Sequence, residues 1–222
     1  MMNVGYHKGK IMADLIAQVK PQVMVELGGY VGYSALVFGD AMRAAGGKRY
    51  FSLERNPEFA AVIMSLVDLA GLSDVVKVVV GASGDSIRRL SADGALKHID
   101  LLFLDHYKPA YLADLKLCEE LGLITPGTVL AADNVIIPGN PPYLRYVRSS
   151  VQKKREECER GADENAAGYV DEFPEKPRDQ YVAREGIENL ADVKGNPNLI
   201  YESKLVNSFE PSGEPVSPES EI

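Results

Sequence analysis

The chain has 222 residues, 45% hydrophobic and 25% charged, with a formal net charge of −8 at pH 7, which fits one soluble domain with a sizeable core. The acidity, with a pI near 5.0, excludes nucleic acid as a main partner, because phosphate binding calls for a basic surface. No apolar run reaches the roughly 18–20 residues that cross a bilayer, and residues 1–10 lack the apolar core of a secretory signal, so a cytoplasmic monomer with no membrane association is expected.

Ile11, Met12, Leu15, Ile16 and Val19 recur at helical spacing, and Pro21 ends that helix. Val23–Leu27 is a short apolar strand followed by a glycine turn, and Tyr33–Ala45 reads as a helix closed by Gly46-Gly47. Tyr50–Leu53 is the second strand. Asn56-Pro57-Glu58 supplies a capping side chain, a proline at the first helical position and an acid near the positive dipole end, opening a helix that runs to Gly71. Val75–Val80 is the third strand, with Ser83 or Asp85 available to cap a helix through Leu90. Ile99–Leu104, a helix over Pro109–Leu121, and Thr128–Ala132 complete the series. Repeated βα units of this kind predict an α/β, doubly wound, mostly parallel sheet.

Beyond residue 148 the pattern changes. Residues 149–195 are rich in charge of both signs and read as a surface insertion, partly helical at Val151–Arg160, with a loop around Phe173–Arg178. Leu199-Ile200-Tyr201 and Leu205-Val206 suggest a late strand or hairpin closing a single domain over 1–210. Pro211, Pro215 and Pro218 mark 211–222 as a disordered tail. Cys118 and Cys158 are too few for a disulfide framework and read as free thiols.

Three candidate oxygen ligands follow two of the strands. Asp105 closes Leu101–Leu104, and Asp133 and Asn134 close Thr128–Ala132. One helix-length segment separates the two runs, which predicts neighbouring parallel strands and places the three side chains at one edge of the sheet. That donor set suits Mg²⁺, which takes oxygen ligands and keeps positions for water and substrate. Asp-Asn after a strand is also an ordinary turn or cap signal; the second acid at the adjacent strand end favours a shared ion. Lys108, three residues past Asp105, reaches the same crevice as a candidate general base; without the acids it would read as a surface lysine. His106 is not called for by an oxygen-rich ion and is expected to pack against a cofactor.

The glycine turn has Tyr30 where a dinucleotide fingerprint needs its middle glycine, which argues against a nicotinamide dehydrogenase. The pattern Glu26-x-Gly28-x-x-x-Gly32 resembles the first motif of S-adenosylmethionine-dependent methyltransferases, although glycines after a strand also serve as plain tight turns. Glu54, ending the second strand, is placed to accept hydrogen bonds from ribose hydroxyls.

Taken together, Met2-Asn3-Val4-Gly5, Val25-Glu26-Leu27-Gly28, Gly32-Tyr33-Ser34-Ala35, Glu54 with Asn56-Pro57, Gly81-Ala82-Ser83, Leu104-Asp105-His106-Tyr107-Lys108 and 132–139 resemble the catechol O-methyltransferase family in order, over about residues 1–148. The resemblance implies a Rossmann-like fold and two cofactors, S-adenosylmethionine and Mg²⁺, with Asp105, Asp133 and Asn134 as metal ligands and Lys108 as the base. It further implies that Glu54 holds the ribose, and that Met2, Val4, Glu26, Gly28, Tyr30, Ser34, Ser83, Asp105 and His106 line the cofactor pocket. Tyr107, Lys108, Asn134, Pro138 and Glu202 would meet the small catechol-type substrate. Against the family pattern, the sequence starts at Met1-Met2 where the family has further helices before the Met-Asn-Val segment, so either a truncated sequence or a more open substrate mouth is expected; there is no Trp, and the 149–195 insertion is foreign. Aligning on Lys204 puts Tyr201, rather than Glu202, at the position of the family's late glutamate. Bulkier vicinal diphenols, such as caffeoyl esters or flavonoids, and a non-catalytic cofactor-binding role are the alternative readings.

Overall fold

A computed structural model of the chain describes residues 3–159, 172, 173, 175, 179 and 193–209. The expectations for Met2, for most of the loop around 173–178 and for the 211–222 tail lie outside these residues.

The described elements run α1 (Gly5–Val19), β1 (Val23–Leu27), α2 (Tyr33–Ala44), β2 (Arg49–Glu54), α3 (Pro57–Leu69), β3 (Val76–Val80), α4 (Ser83–Ala92), β4 (Leu101–Leu104), α5 (Ala110–Glu120) and β5 (Val129–Ala132). A short π-type turn (Val135–Gly139), α6 (Pro141–Val147) and α7 (Val151–Glu159) follow. The five strands form one parallel sheet in the order β3-β2-β1-β4-β5, a Rossmann-like arrangement. Strand order reverses between β1 and β4, and in such sheets ligands bind beyond the strand C-termini at that reversal.

The chain divides into two compact units. One comprises residues 1–105, 127–133 and 206–222, and the other 106–126 and 134–205. The first holds the whole sheet. Met24, Tyr50, Leu101 and Phe103 on one face pack with Phe38 and Met42 of α2, Met12 and Ile16 of α1, and Ile63 and Val67 of α3. Val25, Leu27, Leu102 and Leu104 alternate to the opposite face and are buried as well. Burial on both faces explains why these strands read as unbroken apolar runs rather than alternating ones. At the head of α3, Asn56 accepts from the Glu58 and Phe59 amides (2.8 and 3.3 Å) with Pro57 at the first position, as the sequence predicts.

Two expectations are corrected. Neither Ser83 nor Asp85 caps α4: Ala82 holds the cap position without a side-chain bond, and Ser83 already lies in the first turn. The first helix carries the expected apolar repeat and starts at Gly5, with the Asn3 carboxamide accepting from the Gly5 amide at 3.0 Å. Residues 199–208 form no strand, and Phe209 makes only an isolated bridge. Ile200 is 72% exposed while Tyr201 turns inward to the Glu119 carboxylate, so a hydrogen bond, not a ladder, fixes that segment.

The second unit is built around α5, α6 and α7. Lys154, within the charged 149–195 stretch, is buried, not solvated: its ammonium donates to the Leu199 carbonyl at 3.0 Å. Cys118 and Cys158 are free thiols. Among the described residues no helix is long and apolar enough to cross a membrane.

Candidate active site

The glycine turn sits on a buried polar cluster in the first unit. Strand register aligns Glu26 with Ser52 on one face of the sheet and Met24 with Tyr50 two residues earlier. The Tyr50 and Ser52 hydroxyls both donate to Glu26 Oε2 at 2.7 Å, and Glu26 has no solvent-exposed surface. Its Oε1 is buried without a hydrogen-bond partner. Burial pushes the Glu26 carboxyl up from its usual range, against the hydroxyls of Ser34, Ser52 and Tyr50, which favour the charged form.

Gly28 and Gly32 adopt left-handed conformations (φ 97° and 92°), as does Tyr30 (φ 48°), whose ring packs edge-on against Phe59. Gly29 presses onto the cluster so closely that an added Cβ would lie 2.5 Å from Ser52 Oγ and 2.7 Å from Ile63 Cδ1. A Gly29→Ala substitution is therefore expected to destabilise the protein by about 1–3 kcal/mol through overpacking, measured by urea unfolding. Unchanged stability would show that the turn lifts freely.

Glu54 ties the same turn to the head of α3. Its Oε2 accepts from the Tyr30 amide at 2.7 Å and its Oε1 from the Asn56 amide at 2.8 Å. Each carboxylate oxygen keeps further acceptor capacity, so Glu54 can brace the turn and still receive a diol. Val4 and Ser34 are buried, and Ser83 is partly exposed. A left-handed turn with no room for a side chain at Gly29, flanked by a carboxylate, fits an adenosyl cofactor.

The two acids lie side by side. The Asp105 amide donates to the Leu27 carbonyl and the Asp133 amide to the Leu104 carbonyl, both at 3.0 Å. Asp105 and Asp133 thus continue the paired ends of β4 and β5, with Asp105 beside the strand-order reversal. The Lys8 ammonium of α1 sits on Asp133, 2.9 Å from Oδ1 and 3.2 Å from Oδ2. Among the described residues no three His, Cys, Asp or Glu gather as a metal cluster. The donor set expected from sequence has only two carboxylates plus the Asn134 amide, and hard oxygens in that number suit Mg²⁺.

In the second unit, Asn134 opens the π-type turn in a left-handed conformation (φ 58°), its carbonyl accepting from the Gly139 amide at 3.2 Å. Lys108 is buried, and its ammonium donates to the Tyr111 hydroxyl at 2.6 Å. The Asn140 carboxamide donates to the Lys108 carbonyl at 2.8 Å while capping α6. His106 pairs with Asp114 at 2.8 Å and stacks on the Tyr111 ring. Tyr107 is partly exposed, Pro138 and Glu202 are exposed, and Tyr201 donates to Glu119.

Sequence reasoning missed Lys8, Tyr111 and Asn140. Lys8 had a signal: it falls three residues after Gly5 and four before Met12, on the buried stripe of α1, where a lysine calls for a partner. Asn140 before Pro141-Pro142 is likewise a cap-and-proline helix start.

A methyltransferase-domain family profile matches residues 25–135. Catechol O-methyltransferase of Mus musculus is 46% identical over 149 residues, covering 67% of this chain and 56% of the relative. The Sus scrofa catechol O-methyltransferase is 46% identical over 147 residues, covering 66% of this chain and 78% of the relative. The chain spans about half the length of the mouse protein. Among solved structures, an O-methyltransferase from Bacillus cereus in complex with SAH superposes with a TM-score of 0.55 at 25% identity, covering 63% of this chain and 68% of that one.

Proposed function

The chain belongs to the catechol O-methyltransferase family, and from that membership we propose that it transfers the methyl group of S-adenosylmethionine to one hydroxyl of a catechol-type substrate, with Mg²⁺ as a resident cofactor. One observation supports the reading most: two aspartates follow adjacent paired strands, β4 and β5, the first of them beside the strand-order reversal and the glycine turn braced by Glu54.

Asp105, Asp133 and Asn134 would hold the ion. When bound, it supplies Lewis-acid stabilisation of a phenolate and a chelation point for a vicinal diol. Glu54 would accept the ribose hydroxyls, while Gly28, Tyr30, Ser34, Val4, Ser83, Asp105 and His106 shape the remainder of the cofactor site. Glu26 lies beneath the turn, where its carboxyl accepts from the Tyr50 and Ser52 hydroxyls. Tyr107 and Pro138 would flank the aromatic ring. Glu202 is the better partner for the second hydroxyl, since the Tyr201 hydroxyl is committed to Glu119.

Lys108 takes the phenolic proton at Nζ. Its contact with Tyr111 suits both states: the ammonium donates to the tyrosine oxygen, and the neutral amine accepts from the tyrosine O–H. The nucleophile is anionic and the donor cationic, so charge disappears in the displacement, and alignment in a water-poor site favours it.

Methyl transfer to a panel of catechols, with and without chelator, tests the reading. Turnover should fall at least about 100-fold on full chelation and return with Mg²⁺. Turnover that survives chelation would eliminate the metal role, and cofactor binding without turnover would favour a non-catalytic protein.

A further inference from the structure

We propose that Lys8 is the built-in counter-cation of Asp133, competing with the divalent ion for that carboxylate and setting how tightly the chain holds the metal. The inference rests on the metal reading above and extends it to a residue outside the ligand set.

The lysine is not a stray surface charge. It projects from the buried stripe of α1, and its side chain and that of Asp133 are only 12% and 14% exposed. It reaches both carboxylate oxygens, at 2.9 and 3.2 Å, across 125 residues of sequence. An exposed ion pair is largely screened by water and salt, but a pair this enclosed is screened much less. The contact holds the Asp133 carboxylate in place at the end of β5, next to the end of β4 that carries Asp105. The same contact opposes the ion. A divalent cation taking an Asp133 oxygen either displaces the ammonium or binds beside a like charge, and both weaken binding. Lys8 therefore exchanges part of the site's metal affinity for a preformed, charge-balanced apo state.

The test titrates Mn²⁺ into the full chain, saturated with S-adenosylmethionine and free of catechol, by calorimetry. Thermal unfolding of every variant checks folding. Lys8→Met keeps the apolar stem and removes the charge. Its affinity for Mn²⁺ should rise at least about tenfold over wild type, as expected for deleting one positive charge a few ångströms from a divalent ion. Lys8→Arg keeps the charge and should stay within about threefold of wild type. Lys8→Gln replaces Lys8→Met if the latter fails to fold, with the same expected direction. Unchanged or weaker binding by the neutral variants, with wild type binding normally, overturns the counter-cation role and leaves the metal reading standing. No Mn²⁺ binding by any variant, wild type included, overturns both.

Discussion

Replacing Lys108 by Ala is expected to lower kcat by about 10²–10⁴-fold, the range spanned by loss of a positioned general base, while S-adenosylmethionine affinity should change by less than about threefold. The expectation comes from where the side chain sits. Lys108 is 8% exposed, is anchored by the Asn140 carboxamide on its carbonyl, and meets the Tyr111 hydroxyl at 2.6 Å. None of these partners belongs to the glycine turn or to Glu54, so cofactor affinity has no reason to follow turnover. Lys108→Arg separates proton transfer from simple positive charge. A guanidinium keeps the charge but does not surrender its proton near neutral pH, so the arginine variant should be nearly as impaired as the alanine variant. Arg restoring turnover to within about tenfold of wild type would assign Lys108 an electrostatic role. Parallel losses in kcat and cofactor affinity would contradict the base assignment altogether.

Most of the sheet was legible because its physics is local. Val23–Leu27 and Leu101–Leu104 are buried on both faces and Val129–Ala132 is half-buried throughout, so each appears as a contiguous apolar run, and Asn56-Pro57 announces α3 by a cap whose partners are two and three residues away. The ends of those runs then locate Asp105, Asp133 and Glu54 without knowledge of any side chain. The second unit was far less legible. Its anchors join Glu119 to Asn196 and Tyr201, and Lys154 to Leu199, across 45 to 82 residues, and no periodicity encodes such pairs. Leu199-Ile200-Tyr201 looks like a strand by composition, but a strand needs a ladder partner. In its place the segment finds the Glu119 carboxylate.

The same contrast exposes a division of labour. In the first unit, buried polar groups sit beneath the glycine turn and serve the site: Glu26 receives two hydroxyls so that Gly29 can lie flat against Ser52. In the second, the buried polar groups serve the fold. In both, donors replace most of the hydration a buried carboxylate loses, Glu26 Oε1 being the exception. Reading such sites from sequence therefore depends on finding the donors, and only short-range donors leave a pattern.

Glu119→Ala is expected to destabilise the second unit by about 3–5 kcal/mol, the cost of breaking a buried charged network from one side. The Glu119 residue is 3% exposed. Its Oε2 accepts from the Tyr146 hydroxyl at 2.6 Å and the Asn196 amide at 2.7 Å, and its Oε1 accepts from the Tyr201 hydroxyl. The Lys154 ammonium lies 4.2 Å over the Tyr146 ring and 4.6 Å over that of Tyr201. Burial lowers the Lys154 pKa, and the Glu119 charge opposes that shift. Truncation strands three donors and leaves the lysine without that anion, whereas Glu119→Gln keeps an acceptor and should lose less. Urea unfolding followed by circular dichroism measures both, and an alanine variant within about 1 kcal/mol of wild type would contradict the network's importance. The pH dependence adds a second arm. Burial, then the Glu119 charge and hydrogen bond, raise the Tyr146 and Tyr201 hydroxyls well above their ordinary range. A raised folded pKa gives stability that is intact below the unfolded value of about 10 and is lost as pH climbs past it. Wild type should therefore weaken steeply above about pH 10. The alanine variant should weaken less steeply there, because burial of the two tyrosines remains while the neighbouring charge is gone.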